Sequence, residues 1–457
     1  MSPPPRLFGT DGIRGVAGEP PLDAPTVAAV GRALGTMLAA RAGGPPVVLL
    51  AGDTRPSTPE IARWLTAGLE AAGAGARWAG VLPTPAVALL VQQMGLDAGI
   101  AVSASHNPAA DNGIKLFDRR GRKWSPERES ALEARVAEQP SVAPAEGELP
   151  LREATAANQY LDYLVGTLPA ADTLAGLRIV VDGAHGAATP LLAELTGRLR
   201  LDAILLHATP DGTRINSGCG STHPRVVAEA TAREGAELGF TLDGDADRVL
   251  LADTSGRIRD GDTLLYLWAR DLQRRGRLEP PRIVATTMSN LGLERSLARH
   301  GIDVVRCDVG DREVAMALEW EGLLLGGEQS GHLLHRALST TGDGLLTALQ
   351  IAAIVRRSEA SLADLLADFQ VFPQVLRNVR VPARVPFSEL PAVQATQRQI
   401  EAELDGQGRL LLRYSGTEPL ARIMIEGPKQ DAIEQMADRL AAAIEEALGA
   451  SLVAGGR

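Results

Sequence analysis

Apolar and polar positions follow one grammar that recurs along the chain: an apolar run, a polar loop, then apolar residues at helical spacing. Residues 98–102 (Ala-Gly-Ile-Ala-Val) are continuously apolar, as in a buried strand, and break into Ser103-Ala-Ser-His-Asn-Pro108. Asn107 precedes a proline and is driven out of helical geometry, so this stretch predicts a loop presenting Ser105 at a strand's end. Residues 23–41 carry Val27, Val30, Leu34 and Leu38 at helical spacing. Residues 47–51 predict a strand, Gly-Asp-Thr-Arg-Pro56 a loop, and Ser57-Thr-Pro-Glu60 a capping box for a helix carrying Ile61, Trp64, Leu65 and Leu69. The pattern returns at 178–183, with a helix opening at Thr189-Pro190. It returns again at 282–286, with a helix over 291–300. Three such segments predict three α/β units with largely parallel sheets, and ligand loops beyond the carboxyl ends of the strands.

Composition divides the chain further. Residues 139–150 are rich in Pro, Ala and Glu and read as a connection. A second break is expected at Asp253-Thr-Ser-Gly256, after a strand over 248–252, and a third at Phe372-Pro373. Beyond it come an alternating strand over 375–381, a strand over 409–412, and a helix over 431–448 with Ile433, Met436, Leu440 and Ile444 on one face. The expected domains are therefore 1–150, 151–252, 253–371 and a smaller α+β piece, 372–457.

The 457 residues are 45% hydrophobic but only 3% aromatic, so the cores must be aliphatic. A charged fraction of 22% gives no sign of disorder. The net charge of −10 argues against a nucleic-acid or anionic-membrane surface, so an anionic substrate needs local Arg, Lys or metal charge. Two cysteines, Cys219 and Cys307, fit a reducing compartment without a disulfide framework. No leader-like apolar region and no membrane-length run is present, which leaves a cytoplasmic protein as the expectation.

Four stretches carry chemistry. Phe8-Gly-Thr-Asp-Gly-Ile-Arg-Gly15 pairs a backbone able to approach a ligand with the forked donor Arg14, although an ordinary glycine turn reads the same way. Thr241-Leu-Asp-Gly-Asp-Ala-Asp-Arg248 converges three carboxylates, Asp243, Asp245 and Asp247, a costly arrangement unless a cation neutralises it. Oxygen-only ligands favour Mg²⁺ over Zn²⁺. An EF-hand is excluded because Arg248 stands at its sixth position and Thr254 at its twelfth. Leu325-Gly-Gly-Glu-Gln-Ser-Gly-His332 offers Glu328, Ser330 and His332 to polyols or amines, or is a glycine hairpin. Arg413-Tyr-Ser-Gly-Thr-Glu-Pro419 is a phosphate cradle or a capped turn.

In this order the motifs Ser-Ala-Ser-His-Asn-Pro, Asp-Gly-Asp-Ala-Asp-Arg, Gly-Glu-Gln-Ser-Gly-His and Arg-Tyr-Ser-Gly-Thr-Glu-Pro resemble the α-D-phosphohexomutase superfamily. They are most similar to its bacterial aminosugar branch, over nearly the whole chain. The resemblance implies three similar α/β domains plus a smaller C-terminal α+β domain around a central cleft. It implies that Ser105 is the phosphorylated serine, and that Asp243, Asp245 and Asp247 with Ser105 hold one Mg²⁺. It gives Arg14 and Lys115 to proton transfer. Arg248, Glu328, Ser330 and His332 fall to the sugar, and Arg413, Ser415, Gly416 and Thr417 to its phosphate. His106 either donates to the phosphoserine or orients the loop.

The implied reaction interconverts glucosamine 6-phosphate and glucosamine 1-phosphate, with glucosamine 1,6-bisphosphate or glucose 1,6-bisphosphate as intermediate or activator. It would feed UDP-N-acetylglucosamine and cell-wall precursors. A small-molecule sugar phosphate is then the partner, with neither nucleic acid nor membrane, and the resemblance allows a homodimer. Gln329 points to the aminosugar branch, while phosphomannomutase or phosphoglucomutase activity is the alternative. Lys115 could serve as a general base only with a depressed pKa, which Arg14 is expected to supply. A serine phosphatase would use the same groups but release phosphate stoichiometrically. A kinase is disfavoured because the chain has no Gly-Lys dipeptide for a P-loop.

Overall fold

The computed structural model describes residues 7–40, 44–139, 148–170, 173–415, 418–449 and 451–452. The first part of the chain runs β1 (Phe8–Gly9), β2 (Gly12–Val16), α1 (Ala24–Ala39), β3 (Val47–Gly52), α2 (Thr58–Ala71) and β4 (Gly75–Val81). It continues through α3 (Thr84–Gln93), β5 (Ala98–Val102), β6 (Asp111–Asp118) and α4 (Pro126–Ala137). Its strands order as β1-β2-β6-β5-β3-β4. Strands β4, β3 and β5 are parallel, while β6, β2 and β1 are antiparallel to their neighbours. The helix at 58–71 forms as expected, but Ser57 makes no side-chain cap. Its hydroxyl instead accepts a hydrogen bond from Asn112 on β6, at 2.9 Å.

The next part comprises α5 (Ala156–Gly166), β7 (Arg178–Asp182), α6 (Thr189–Arg198), β8 (Asp202–Leu206), α7 (Arg225–Glu234), β9 (Leu238–Leu242), β10 (Val249–Ala252) and β11 (Ile258–Arg259), in strand order β11-β10-β9-β7-β8. A third sheet, β13-β12-β14-β15, follows. It is built from α8 (Gly261–Arg274), β12 (Arg282–Thr286), α9 (Leu291–Ala298), β13 (Asp303–Cys307), α10 (Asp311–Trp320), β14 (Leu325–Gly327) and β15 (Leu333–His335), with α11 (Gly344–Ser358) and α12 (Leu362–Leu365) after it. Asp253-Thr-Ser-Gly256, where a break is expected, forms the turn of the β10–β11 hairpin, and the second sheet ends with β11 just beyond it.

One topology underlies all three sheets. Each has a parallel trio in which the first strand lies between the second and the third, and a fourth strand pairs antiparallel with the third. The sheets are therefore mixed, not largely parallel. A short apolar strand buried on both faces looks the same in sequence whichever way it runs. In each sheet the connection from third to fourth strand is a chemistry-bearing loop: 103–110, 243–248 and 328–332.

The last part contains β16 (Gln374–Arg380), α13 (Pro391–Leu404), β17 (Arg409–Tyr414), β18 (Leu420–Glu426), α14 (Gln430–Leu448) and β19 (Ser451–Leu452). Its antiparallel sheet, ordered β17-β18-β16-β19, buries Val375, Val379, Ile423 and Ile425 in one cluster with Ile400, Leu440 and Ile444 of the helices. The chain forms two compact units, residues 1–288 with 302–367, and 289–301 with 368–457. Helix α9, expected in the third domain, thus groups with the C-terminal sheet. The reason lies in Asn290, whose amide donates to Phe372 O at 3.0 Å and accepts from Phe372 N–H at 2.9 Å.

The cores are aliphatic, as the composition requires. In the first domain Val48, Leu50, Ile100 and Val102 of the sheet pack in one cluster with Val27, Leu34, Ile61 and Leu65 of α1 and α2. These two helices approach backbone to backbone: a Cβ added to Gly68 would lie 2.1 Å from Ala28 O. Gly68→Ala must therefore push the helices apart. It should lower unfolding free energy by about 1–3 kcal/mol in urea titration, the usual toll of overpacking; an unchanged midpoint would show that the helices sit farther apart.

Candidate active site

Ser105 heads the loop after β5 with φ of 53°, in the left-handed region that a residue with a Cβ seldom adopts. Its side chain is buried, and its hydroxyl donates to Asp243 Oδ2 at 2.5 Å while lying 3.2 Å from His106 Nδ1. The acidic loop reaches it because Gly244 has no side chain. A Cβ there would stand 2.5 Å from Ser105 O and 2.9 Å from Asn216 Nδ2. Loops remote in sequence, at 105 and 243–248, are thus brought together by the topology the sheets share.

Asp243, Asp245 and Asp247 converge, each offering an oxygen within 4.8 Å of the others, and all three are buried. Asp245 Oδ1 and Asp247 Oδ1 have no hydrogen-bond partner. Buried carboxylate oxygens left this way suit a divalent cation, and an all-oxygen set suits a hard one. Burial, then the charges of Asp245 and Asp247, push the Asp243 carboxyl well above the usual range. For Asp247 burial acts in the same direction but is outweighed by Lys115, His332 and Arg248, which hold it well below that range. Among the described residues a second cluster, Asp182, His207 and Cys219, is also close enough for a metal. There the Asp182 oxygens already accept from Ala184 N–H, Gly220 N–H and His207, and none of its carboxylate oxygens is left without a partner.

Lys115, on β6, is buried and pairs with Asp245 at 2.8 Å, Asp247 at 3.2 Å and Asp11 at 3.3 Å. Burial pulls its pKa down, but the three carboxylates prevail and raise it well above the ordinary lysine value. Arg14 acts in the expected direction, lowering it, but is outweighed; Asp11 lies between the two cations, bonded to Arg14, to Lys115 and, at 2.5 Å, to Lys123. Lys123 in turn contacts Asp311. Arg14 also donates to Asn107 Oδ1 at 3.0 Å, so it supports the serine loop as well. The His106 imidazole is held below its usual pKa by burial, then by Arg248 and Arg14.

Arg248 donates its peptide N–H to Asp243 Oδ1 at 3.2 Å, and its guanidinium lies 3.9 Å from Asp247. Glu328 accepts from Gly310 N–H at 3.1 Å, and burial raises its carboxyl above the usual range. Ser330 is exposed on the same loop. His332 is buried, with Nε2 accepting from Gly342 N–H at 3.0 Å and Nδ1 turned to Asp247 at 3.7 Å. Gln329 donates to Asp260 Oδ2 at 3.2 Å, which ties the loop to the start of α8. In the C-terminal unit, Arg413 lies in β17 opposite Arg422, one residue before the strand ends, and buried Ser415 accepts from Glu418 N–H at 3.4 Å. Gly416 and Thr417 lie outside the described residues.

Several contributors are residues the sequence did not single out. Thr84, at the start of α3, donates its hydroxyl to Asp245 Oδ2 at 2.7 Å and its N–H to Asp245 O at 3.0 Å. Asp53, Arg55 and Asn216 surround the serine loop, and Asp11, Lys123 and Asp311 extend the ion-pair chain. One local signal was available: Gly-Asp-Thr-Arg-Pro56 follows β3 just as the serine loop follows β5.

Four family models match the chain. They are described as phosphoglucomutase/phosphomannomutase alpha/beta/alpha domains I, II and III and C-terminal domain, over residues 5–142, 158–256, 260–372 and 376–443. A phosphoglucosamine mutase of Koribacter versatilis is 45% identical over 458 residues, covering 97% of each chain. One of Symbiobacterium thermophilum is 45% identical and covers 98% of this chain and 100% of its own. Among solved structures, a phosphoglucomutase/phosphomannomutase family protein from Burkholderia thailandensis superposes with a TM-score of 0.80 at 26% identity, covering 98% of this chain and 99% of its own. The fold is also shared by the Aspergillus fumigatus N-acetylphosphoglucosamine mutase in complex with GlcNAc-6P and magnesium, with a TM-score of 0.63 at 19% identity over 96% of both chains.

If the acidic loop holds a divalent cation, its charge relieves the crowding of three buried carboxylates. Adding Mg²⁺ to chelator-treated protein should then raise the melting temperature, by the equivalent of about 2.7 kcal/mol at a hundredfold excess over Kd. Asp243→Asn should lose most of that shift. Equal melting curves with chelator and with Mg²⁺ would remove the loop as a metal site.

Proposed function

The chain belongs to the phosphoglucomutase/phosphomannomutase family and, within it, to the phosphoglucosamine mutases; from that premise we propose how its own residues interconvert glucosamine 6-phosphate and glucosamine 1-phosphate. The observation that carries the proposal is the 2.5 Å contact between Ser105 Oγ and Asp243 at the edge of a buried acidic cluster. Ser105 is the phosphoryl carrier. In its phosphorylated form, a hydroxyl oxygen of the sugar phosphate attacks phosphorus as the bond to Ser105 Oγ breaks, giving a 1,6-bisphosphate. The proton lost by the sugar hydroxyl is balanced by the one Ser105 Oγ takes up. In the return step, when Ser105 Oγ attacks, neutral His106 Nδ1, 3.2 Å away, is placed to accept the serine's proton, and the imidazolium so formed gives it back to Oγ when the phosphoserine is next cleaved. After the bisphosphate turns over, Ser105 Oγ attacks its other phosphate and the opposite isomer leaves.

Asp243, Asp245 and Asp247 would hold Mg²⁺, which when bound offsets the nearly two negative charges of a phosphoserine. Lys115 acts in this arrangement as a fixed ammonium that orders Asp245 and Asp247, and Arg14 steadies the serine loop through Asn107. Arg248, Glu328, Ser330 and His332 present donors and acceptors to the sugar. Arg413 and Ser415, with Gly416 and Thr417, receive the phosphate that is not being transferred. Water must be kept out, since a phosphoserine open to water would make the protein a phosphatase.

Among the described residues no helix is long and apolar enough to cross a membrane. Family membership supports a cytoplasmic setting and a homodimer, which molar mass by light scattering tests.

The decisive experiment couples glucosamine 1-phosphate formation to a reporter, with Mg²⁺ and a trace of glucose 1,6-bisphosphate. Wild type should turn over glucosamine 6-phosphate faster than glucose or mannose 6-phosphate. Ser105→Ala should lose at least about 10³-fold in kcat and take up no phosphate by intact mass. Undiminished turnover by Ser105→Ala would end the proposal.

A further inference from the structure

The loop bearing Ser105 is held by two side chains outside every motif, and we propose that Arg55 and Asn216 are positioning residues that set where Ser105 Oγ stands for phosphoryl transfer. The inference rests on the reading of Ser105 as phosphoryl carrier. Arg55 leaves β3 in the run Gly-Asp-Thr-Arg-Pro56 and is 1% exposed. Its Nε donates to Asp53 Oδ2 at 2.9 Å and its peptide N–H to Asp53 Oδ1 at 3.0 Å, which orients the guanidinium. Its terminal nitrogens then collect four carbonyl oxygens of one loop: Ser105 O at 3.1 Å, Asn107 O at 2.8 Å, Asp111 O at 2.9 Å and Pro108 O.

A buried guanidinium needs one opposing charge and an acceptor for each N–H. Asp53 supplies the charge. The remaining acceptors could have come from anywhere in the core, yet all belong to residues 105–111. From the second domain Asn216 Nδ2 donates to two of the same oxygens, Ser105 O at 2.9 Å and Asn107 O at 3.1 Å. On the amino side, Ser105 N–H donates to Ser103 Oγ at 2.9 Å, and that hydroxyl donates to Asp53 Oδ2 at 2.6 Å. Both peptide groups flanking Ser105 are therefore pinned, the first through Asp53, the second by Arg55 and Asn216. A backbone fixed on both sides maintains the left-handed φ of 53° and so the direction of the Cα–Cβ bond. That direction brings Oγ to Asp243. The hydrogen bonds that Arg55 and Asn216 make to residues 105–111 all end on carbonyl oxygens and not on Oγ, so they act through the backbone.

The test uses the full chain with Arg55→Lys, Asn216→Asp and Ser105→Ala. A lysine has three donors on one nitrogen and cannot span four carbonyls and a carboxylate. Aspartate keeps the shape of asparagine and tolerates its φ of 59°, but offers no donor to Ser105 O. Dephosphorylated protein is mixed with glucose 1,6-bisphosphate and Mg²⁺. Phosphate on Ser105 is followed by intact mass, steady-state turnover is measured on glucosamine 6-phosphate, and the folded fraction is fixed by circular dichroism.

Arg55→Lys and Asn216→Asp should each slow phosphorylation of Ser105 and lower kcat, by about 10²-fold for a misplacement near 1 Å, with KM within about threefold of wild type. A folded variant that phosphorylates at the wild-type rate overturns the inference. So does a loss confined to KM, or one that only mirrors the unfolded fraction. Should Arg55→Lys not fold, Asn216→Asp decides alone. Turnover by Ser105→Ala, or wild type that never acquires phosphate there, instead sinks the carrier reading whatever the two positioning variants do.

Discussion

Three carboxylates buried within 4.8 Å of one another are the constraint to which the rest of the site answers. Charges that close cannot be left to water screening, because the loop is closed off from solvent. The protein meets part of the demand itself. Lys115 reaches Asp245 and Asp247 from the first domain, Arg248 approaches Asp247 from within the loop, and Thr84 donates to Asp245. What remains is a pair of carboxylate oxygens with no hydrogen-bond partner, which suit a cation. The same acids raise the Lys115 pKa although the side chain is buried, because Asp11, Asp245 and Asp247 outweigh the cost of burial.

The shared sheet topology makes this convergence available. In each α/β domain the polypeptide must reverse between the third parallel strand and its antiparallel neighbour. The reversal is a short loop at the carboxyl end of a buried strand, with one residue at positive φ in each: Ser105, Ala246 and Gly331. A loop so held is rigid enough to keep a reacting group in place and exposes its backbone at the edge of the sheet, where ligands bind. Small residues complete the fit. Gly244 permits the acidic loop to lie on the carbonyl of Ser105, and Gly331 lies with its missing side chain 2.2 Å from Val249 O. The three loops are thereby packed on one another within the first compact unit, and their chemistry is combined by packing.

Family membership and site geometry converge on one reaction from independent directions. Relatives of 45% identity cover nearly the whole length, and the contact between serine and acidic cluster would be expected of a phosphoserine carrier in any fold. At Lys115 the structure adds what the sequence did not show: its neighbours Asp11, Asp245 and Asp247 are acids, and their charges raise its pKa. Gln329, read as a mark of the aminosugar branch, donates its side-chain amide to Asp260 at the start of α8.

How far the sequence reached follows from the range of the interactions. The strands at 47–51, 98–102, 178–182 and 282–286, the helices over 23–41 and 431–448, and the loops at 105 and 243–247 were legible, because apolar periodicity and motif chemistry are local. Strand direction was not, since the side chains of β6, β10 and β15 are buried alike in either sense. Neither was the hairpin at 253–256, nor the grouping of α9 with the C-terminal sheet through Asn290. The sequence by itself determined the class of chemistry: a serine, three acids, and cationic loops for phosphate. Only the tertiary structure decided which of those charges face one another, that Arg55 and Asn216 grip the serine loop, and that Lys115 stands among three acids. A pKa and a bond direction depend on what stands a few ångströms away in space, and residues 105, 216 and 243 become neighbours only when the sheets assemble.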